Sequence, residues 1–213
     1  GLEAAQNLAG LKEMGAVSVR LALINALSRP YMEDEYLKSK GYLPVMDEKT
    51  GGYEAEINED DIVVVVGFGG WVTGIAHKAK KVYVTELEPE LFSSTLIDQE
   101  GIKKGPLAVQ LIAASKAAPF FKQADVVMLT GCSLVSGTME EIFAKCEGKK
   151  VVIYGQTAAF FPEPLFRRGA SVINTLRITN GPLLIDLLIN SSGAVERYFG
   201  LAGEFLKIKQ FKE

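Results

Sequence analysis

The chain has 213 residues, of which 48% are hydrophobic, and a formal net charge of −3 at pH 7. This apolar fraction is enough to form the core of one or two domains and excludes an intrinsically disordered chain. The acidic balance argues against nucleic acid as a partner, and no apolar run reaches the roughly 20 residues that a membrane-spanning helix needs.

The first part of the chain is expected to be helical. Residues 16–28 are apolar nearly all round, which predicts a buried helix. The acidic, glycine-containing stretch that follows predicts a surface connection with one short helix near 33–39. We therefore expect an N-terminal helical part over residues 1–55 and a second domain over residues 56–213.

Strand and helix patterns alternate regularly from Asp61 onward. Five β-branched or apolar runs are typical of buried strands, at 62–67, 81–87, 124–131, 150–155 and 170–176. Helical patterns accompany them at 73–79, 105–118, 138–147, 163–168 and 181–198. This alternation, with glycines at strand ends, predicts an α/β fold with a mostly parallel sheet and helices on both faces.

Ligands in such folds bind beyond the carboxyl ends of the strands, which directs attention to the first two strand ends. Gly67 and Gly69 follow the first strand and permit a tight turn, although Val72 replaces the third glycine of the dinucleotide fingerprint. Glu86 lies about 20 residues after Gly67, where an acidic residue commonly binds a ribose hydroxyl. A ligand-binding turn and an ordinary packing turn both remain open here.

Small and polar residues also follow the third and fourth strands. A capping box of Thr138 and Glu141 explains the next helix start. It does not explain the small and polar residues around it, whose amides and hydroxyls suit a polar or anionic ligand. These residues are Thr130, Gly131, Cys132, Ser133, Gly155, Gln156 and Thr157.

Two segments carry a family resemblance: TGCSLVSGTMEEI (130–142) and VVIYGQTAAFFPEPLFRRGA (151–170). They resemble the putative heavy-metal chelation family of bacteria and archaea, which has no known biochemical function. The resemblance spans about 15–29 and 61–180 and implies an enolase-N-terminal-like domain packed on a Rossmann-like domain, with a site between them. The strands that should open the first domain are missing from the sequence pattern, so we expect that domain to be truncated.

The resemblance also implies which residues form the site. It takes Asn25 from the first domain, and the remaining residues from the second. These are Gly67, Phe68, Glu86, Thr130 to Ser133 and Gly155 to Thr157. With Gly69 from the same turn, we expect them to line one continuous concavity, in which Glu86 accepts a ligand hydroxyl. A buried Asn25 must be hydrogen-bonded, and we expect its partners near Cys132 or Gln156 rather than within residues 1–60.

The residue inventory argues against direct metal coordination. Soft and borderline metals favour clusters of Cys and His, whereas the chain has one histidine, His77, and two separated cysteines, Cys132 and Cys146. If metals are involved, we expect the protein to act on a small chelating molecule. No signal peptide is visible, which predicts reduced thiols and a cytoplasmic location.

Three functions stay open at this point. The first is an enzyme acting on a small organic compound, metal-chelating or pterin-like. The second is a nucleotide or S-adenosylmethionine binder of methyltransferase type, and the third is a non-catalytic binding protein linked to heavy-metal chelation. The sequence identifies no cofactor and no catalytic residue, and it leaves open both whether the protein is an enzyme and whether it forms a homo-oligomer.

Overall fold

The computed structural model describes residues 2–47, 56–69, 72–87, 95–98, 101–104, 109–190 and 196–211. The strands are β1 (Tyr42–Asp47), β2 (Ile62–Val66), β3 (Lys81–Glu86), β4 (Thr95–Asp98), β5 (Gly101–Lys104), β6 (Val109–Ala113), β7 (Val126–Thr130), β8 (Lys150–Tyr154), β9 (Val172–Ile178) and β10 (Gly203–Gln210). The helices are α1 (Leu2–Asn7), α2 (Met14–Ser28), α3 (Asp34–Ser39), α4 (Val72–Lys78), α5 (Ala118–Gln123), α6 (Met139–Ala144), α7 (Glu163–Phe166), α8 (Gly181–Asn190) and α9 (Glu196–Ala202). Within these ranges, no helix has the length and apolar character needed to cross a bilayer.

The strand order is β1-β10-β9-β8-β7-β2-β3-β6, and β4 pairs with β5 in a separate antiparallel hairpin. Strand β2 is parallel to both β3 and β7, and β3 is parallel to β6. Strand β10 is antiparallel to both β9 and β1. The prediction of an α/β fold with a mostly parallel sheet is therefore confirmed, and each of the five predicted strands is present.

The chain divides into two compact units. Unit 1 comprises Gly1–Gly51, Gly131–Met139 and Ile153–Glu213, and unit 2 comprises Gly52–Thr130 and Glu140–Val152. The division predicted at residues 55 and 56 from sequence stays a prediction, and residues 48–55 lie outside the described part of the chain.

The core of unit 2 follows directly from its valine-rich strands. The three central valines of β2, residues 63–65, are fully buried, as are Val82 and Val84 of β3. β-Branched side chains pack well on a pleated surface that is covered on both faces, which is why these runs form central strands. Lys150 at the start of β8 binds the buried carboxylate of Glu56 at 2.9 Å and anchors the segment that leads into β2.

An aromatic contact and an ion-pair cluster link elements of unit 1 to its sheet. Tyr42 of β1 stacks on Phe166 with ring centroids 5.3 Å apart. The guanidinium of the buried Arg177 on β9 pairs with Asp34, which ties α3 to the sheet. Glu204 of β10 lies 3.8 Å from the other terminal nitrogen of the same guanidinium. Removing Arg177 would therefore leave both carboxylates without this counter-ion, whereas removing Asp34 would still leave Glu204 beside it.

Three sequence-based predictions about individual elements were wrong. The helix predicted over 105–118 is instead strand β6 followed by a short 3-10 turn over Ala114–Lys116, and α5 begins only at Ala118. Pairing with β3 outweighs the helical propensity of the nearby alanines. Residues 105–108 lie outside the described ranges. Helix α2 is not a buried helix, since Val19 and Leu27 are exposed. The capping box does not form either. The amide of Thr138 donates to the carbonyl of Ser133 at 3.0 Å rather than to Glu141, whose carboxylate pairs with Lys145.

Candidate functional site

Helix α2 and the residue that caps its C-terminus, Arg29, reach the ends of two strands of unit 1 through two polar side chains. Asn25 Nδ2 donates to the carbonyl oxygens of Gln156 and Thr157, at 3.2 and 3.3 Å. One helical turn later, Arg29 Nε donates to the carbonyl oxygen of Ile178 at 3.2 Å. Residues four apart lie on one helix face, so this face of α2 lies against the segments that follow β8 and end β9.

The two carbonyl partners determine how the Asn25 amide is oriented. Carbonyl oxygens can only accept hydrogen bonds, so the atom facing them must be Nδ2. The Oδ1 atom then points away from them, and it is buried without a hydrogen-bond partner among the described residues. The prediction that Asn25 bonds to the 156–157 segment rather than within residues 1–60 is confirmed. Its role in binding a ligand stays a prediction.

The two short turns beside Asn25, Gly131–Leu134 and Gln156–Ala158, approach each other very closely. A Cβ atom placed on Gly131 would lie 3.0 Å from the amide nitrogen of Ala158 and 3.2 Å from Thr157 Cβ. Gly155, which begins the second turn, has a φ of 104°, a conformation that side chains other than hydrogen rarely permit. Both glycines are therefore needed for this local geometry. A turn pattern in the sequence alone does not predict that either position requires glycine.

The two cysteines of the chain have opposite environments. Cys132 is exposed, and its Sγ lies 3.7 Å from Thr157 Oγ1. Cys146 is buried, and burial raises the pKa of its thiol to about 11. Ser133, which the sequence suggested as a ligand group, is itself buried with 3% of its surface exposed. Cys132 and Gln156 are thus the exposed side chains of these turns, and Thr157 is half-buried beside them.

The chemistry of this group suits a polar organic ligand. It combines the Oδ1 acceptor of Asn25, a hydroxyl that both donates and accepts, and a thiol that is a weak donor and potential nucleophile. Across the described ranges, no group of three or more His, Cys, Asp or Glu side chains is arranged to hold a metal ion. A metal would therefore have to bring most of its own ligands to this surface.

A second group of predicted site residues lies in unit 2. Gly67 follows β2 with a φ of 89°, and its amide donates to the carbonyl of Thr85 at 3.0 Å. The amide of Phe68 donates to the carboxylate of Glu86 at the end of β3. Glu86 therefore has a hydrogen-bond partner within the protein, in the glycine turn beside which it was expected to bind a ligand. A carboxylate can accept further bonds, so its expected contact with a ligand hydroxyl stays a prediction.

The remaining predicted residues are placed as follows. Gly69 lies in the same turn as Gly67 and is half-buried, while Thr130 ends β7 and is also half-buried. That both groups of residues line one continuous concavity stays a prediction. Sequence reasoning missed Arg29, whose position just before a proline was interpreted only as a helix end. It also missed Asn174, a polar residue in a run otherwise typical of a buried strand.

The comparisons with known proteins support one family. The pattern of the DUF364 family, described as "Putative heavy-metal chelation", matches residues 53–201. A DUF364 protein of unknown function from Pyrococcus horikoshii shares the fold with a TM-score of 0.70 and 18% identity, over 99% of this chain and 74% of its own. Another, from Desulfitobacterium hafniense, has a TM-score of 0.68 and 16% identity, over 97% and 74% of the two chains. No curated protein matches the sequence. The chain is a member of the DUF364 family.

Proposed function

We propose that the protein binds a small organic molecule with metal-chelating groups at the surface formed by Asn25, the Gly131–Ser133 turn and the Gln156–Thr157 turn. The observation that carries the proposal is the Asn25 amide. Its nitrogen donates to two backbone carbonyls, and its oxygen is an oriented acceptor with no partner among the described residues. Leaving such an atom unsatisfied costs about 1–3 kcal/mol, which a donor group on a ligand would recover.

The chelating character of the ligand is supported by the donor inventory of the chain. The family description concerns heavy metals. The chain has one histidine and two cysteines, and one of those thiols is buried and held protonated by its raised pKa. Soft metals bind thiolates and imidazoles in groups, so we propose that the ion reaches this protein already complexed by the small molecule.

Alkylation of Cys132 tests this proposal because the thiol lies within the proposed surface. The protein is treated with iodoacetamide, and both cysteines are followed by peptide mass mapping. The added compounds are acetohydroxamate and catechol, each with and without Zn²⁺, together with a pterin. We expect at least one of them to slow alkylation of Cys132 saturably and to leave Cys146 unchanged. In Asn25→Leu the same compound should protect less.

Two outcomes would contradict the proposal. One is alkylation of Cys132 at the full rate in the presence of every compound. The other is equal protection of Cys132 in the parent and in Asn25→Leu, which would place the bound compound away from the amide. Cys146 serves as the internal control for unfolding, since its burial protects it only while the fold is intact.

A second candidate function rests on unit 2. The carboxylate of Glu86 accepts from the amide of Phe68 in the glycine turn, and Glu86 ends the second parallel strand, β3, where the acidic residue that binds a ribose commonly lies in nucleotide-binding folds. This supports a nucleotide or S-adenosylmethionine binder of methyltransferase type as the alternative.

The Glu86→Gln variant separates the two functions. Glutamine retains an oxygen that can accept from Phe68, so the turn should persist while the charge is lost. If unit 2 binds a ribose, affinity for S-adenosylmethionine or adenosine, measured by calorimetry, should fall by about 1–3 kcal/mol. Unchanged affinity in the variant, or no binding in the parent, would remove this candidate.

A further inference from the structure

Unit 1 contains a buried asparagine, on β9, whose side-chain atoms have no hydrogen-bond partner in the part of the chain that the structure describes. Asn174 on β9 is 2% exposed, and neither its Nδ2 nor its Oδ1 has a partner among the described residues. Its backbone is engaged normally, since its carbonyl accepts from the amide of Gly155 at 3.0 Å. Buried amides are almost always paired, so two unpaired polar atoms on one side chain require an explanation.

A lysine lies directly beside this asparagine. Lys207 of β10 is the antiparallel partner of Asn174, and it is 7% exposed. Side chains of directly opposed residues emerge from the same face of a sheet, with Cβ atoms about 4.5–5.5 Å apart. The same row ends on the edge strand β1 at Val45, which is the partner of Lys207 and is 41% exposed. The polar pair thus lies next to a part of this face that solvent reaches.

The two side chains together specify the chemistry of a complementary group. The amide needs an acceptor for Nδ2 and a donor for Oδ1, placed side by side. The positive charge of Lys207 favours a negative charge on the acceptor and disfavours an ammonium as the donor. A carboxylate with a hydroxyl on the adjacent carbon meets all of these requirements, whereas a plain carboxylate leaves Oδ1 unsatisfied.

We propose that Asn174 and Lys207 form a second binding site, which takes a 2-hydroxycarboxylate. Asn174 Nδ2 and the ammonium of Lys207 donate to the carboxylate, and the ligand hydroxyl donates to Asn174 Oδ1. This site uses none of the residues of the Asn25 surface.

The test compares glycolate, the smallest 2-hydroxycarboxylate, with acetate, which lacks the hydroxyl. The ¹⁵N-labelled protein is titrated with each, and the side-chain amide signals of Asn174 are identified by their loss in Asn174→Leu. We expect glycolate to shift these signals saturably and to bind roughly tenfold more tightly than acetate, as the additional hydrogen bond requires.

Two lysine variants provide a matched pair. Lys207→Met removes the charge beside Asn174, whereas Lys209→Met removes the next lysine along the same face, which is opposite Val172. Affinity for glycolate should fall at least roughly tenfold in Lys207→Met, as loss of a charge-assisted bond predicts, and should remain unchanged in Lys209→Met. If Asn174→Leu does not fold, this pair still decides the question.

Several results would overturn the proposal. Equal affinity for glycolate and acetate would show that the hydroxyl is not recognised. Equal loss in the two lysine variants would indicate general charge attraction. Saturable binding that leaves the Asn174 amide signals unmoved would locate the ligand elsewhere. The Asn25 surface is unaffected by any of these outcomes, because it is tested through Cys132.

Discussion

Substituting Asn25 by aspartate replaces the hydrogen-bond-donating Nδ2 of the amide with an oxygen and leaves the shape of the side chain nearly unchanged. In the parent, Nδ2 donates to the carbonyls of Gln156 and Thr157. In Asn25→Asp both bonds are lost, and a carboxylate oxygen faces two carbonyl oxygens. Two hydrogen bonds at about 0.5–1.5 kcal/mol each give a loss of about 1–3 kcal/mol at pH 7, to which repulsion between the oxygens adds.

The loss should depend on pH in a predictable direction. The carbonyl oxygens disfavour the charged form of an aspartate at position 25, and a protonated carboxyl could donate to one of them. The pKa of this group in the folded state should therefore lie above its unfolded value of about 3.9. A group with a raised folded pKa contributes its full stability below the unfolded pKa and loses it as the pH rises through the folded pKa. The variant should thus approach the parent in stability near about pH 4 and diverge from it toward neutrality.

Asn180 provides the matched control. Its Oδ1 accepts from the amide of Leu183 at 3.1 Å and caps the start of α8. Aspartate caps a helix as well as asparagine does, so Asn180→Asp should change the free energy of unfolding by less than about 0.5 kcal/mol. Urea unfolding of the parent and both variants across this pH range measures the differences. Equal stability of the two variants at pH 7 would refute the assigned orientation of Asn25.

Three further predictions concern other residues of the two units. Gly131→Ala should lower the free energy of unfolding by about 1–3 kcal/mol, because the new Cβ would crowd the Gln156–Ala158 turn. The control Gly15→Ala, inside α2, meets no atom within 4 Å and should raise the free energy of unfolding by up to about 1 kcal/mol. Urea unfolding measures both, and equal effects would contradict the close approach at Gly131. Native protein should react with one equivalent of Ellman's reagent at Cys132, and the second thiol, Cys146, should appear only on denaturation; two fast thiols would disprove its burial. Glu86→Gln should leave the far-ultraviolet circular dichroism and the unfolding midpoint nearly unchanged, because glutamine can still accept from the Phe68 amide, and a large drop would show that the charge itself stabilises the turn.

The strands of unit 2 were predictable from sequence because their apolar, β-branched composition is typical of buried strands. A run of β-branched residues such as 62–66 fits only a strand covered on both faces. Strand β6 was not predictable in the same way, since its alanine-rich context favours a helix locally. Pairing with β3 is a long-range effect that local propensity does not contain.

The candidate site was predictable in part. Gln156 and Thr157 were identified because small polar residues after a buried strand are unusual, and this property is local. The hydrogen bonds that Asn25 makes to them join residues more than a hundred positions apart, and only the family resemblance indicated them. The apolar character of α2 suggested burial, yet composition states only that a side chain favours burial and not that another element covers it.

Asn25 and Asn174 are polar residues in otherwise apolar runs, and their side-chain atoms without a partner in the described part of the chain are the basis of both proposed sites. A turn explains its own glycines, whereas a buried amide must find partners or cost the fold free energy. Within the described ranges, one side-chain atom of Asn25 and two of Asn174 have no hydrogen-bond partner, and a bound molecule that pairs with them would remove that cost. Ligands that meet these atoms must bind the folded state in preference to the unfolded one. Their affinity should therefore appear as added stability, about 2.7 kcal/mol at a ligand concentration of 100 times Kd.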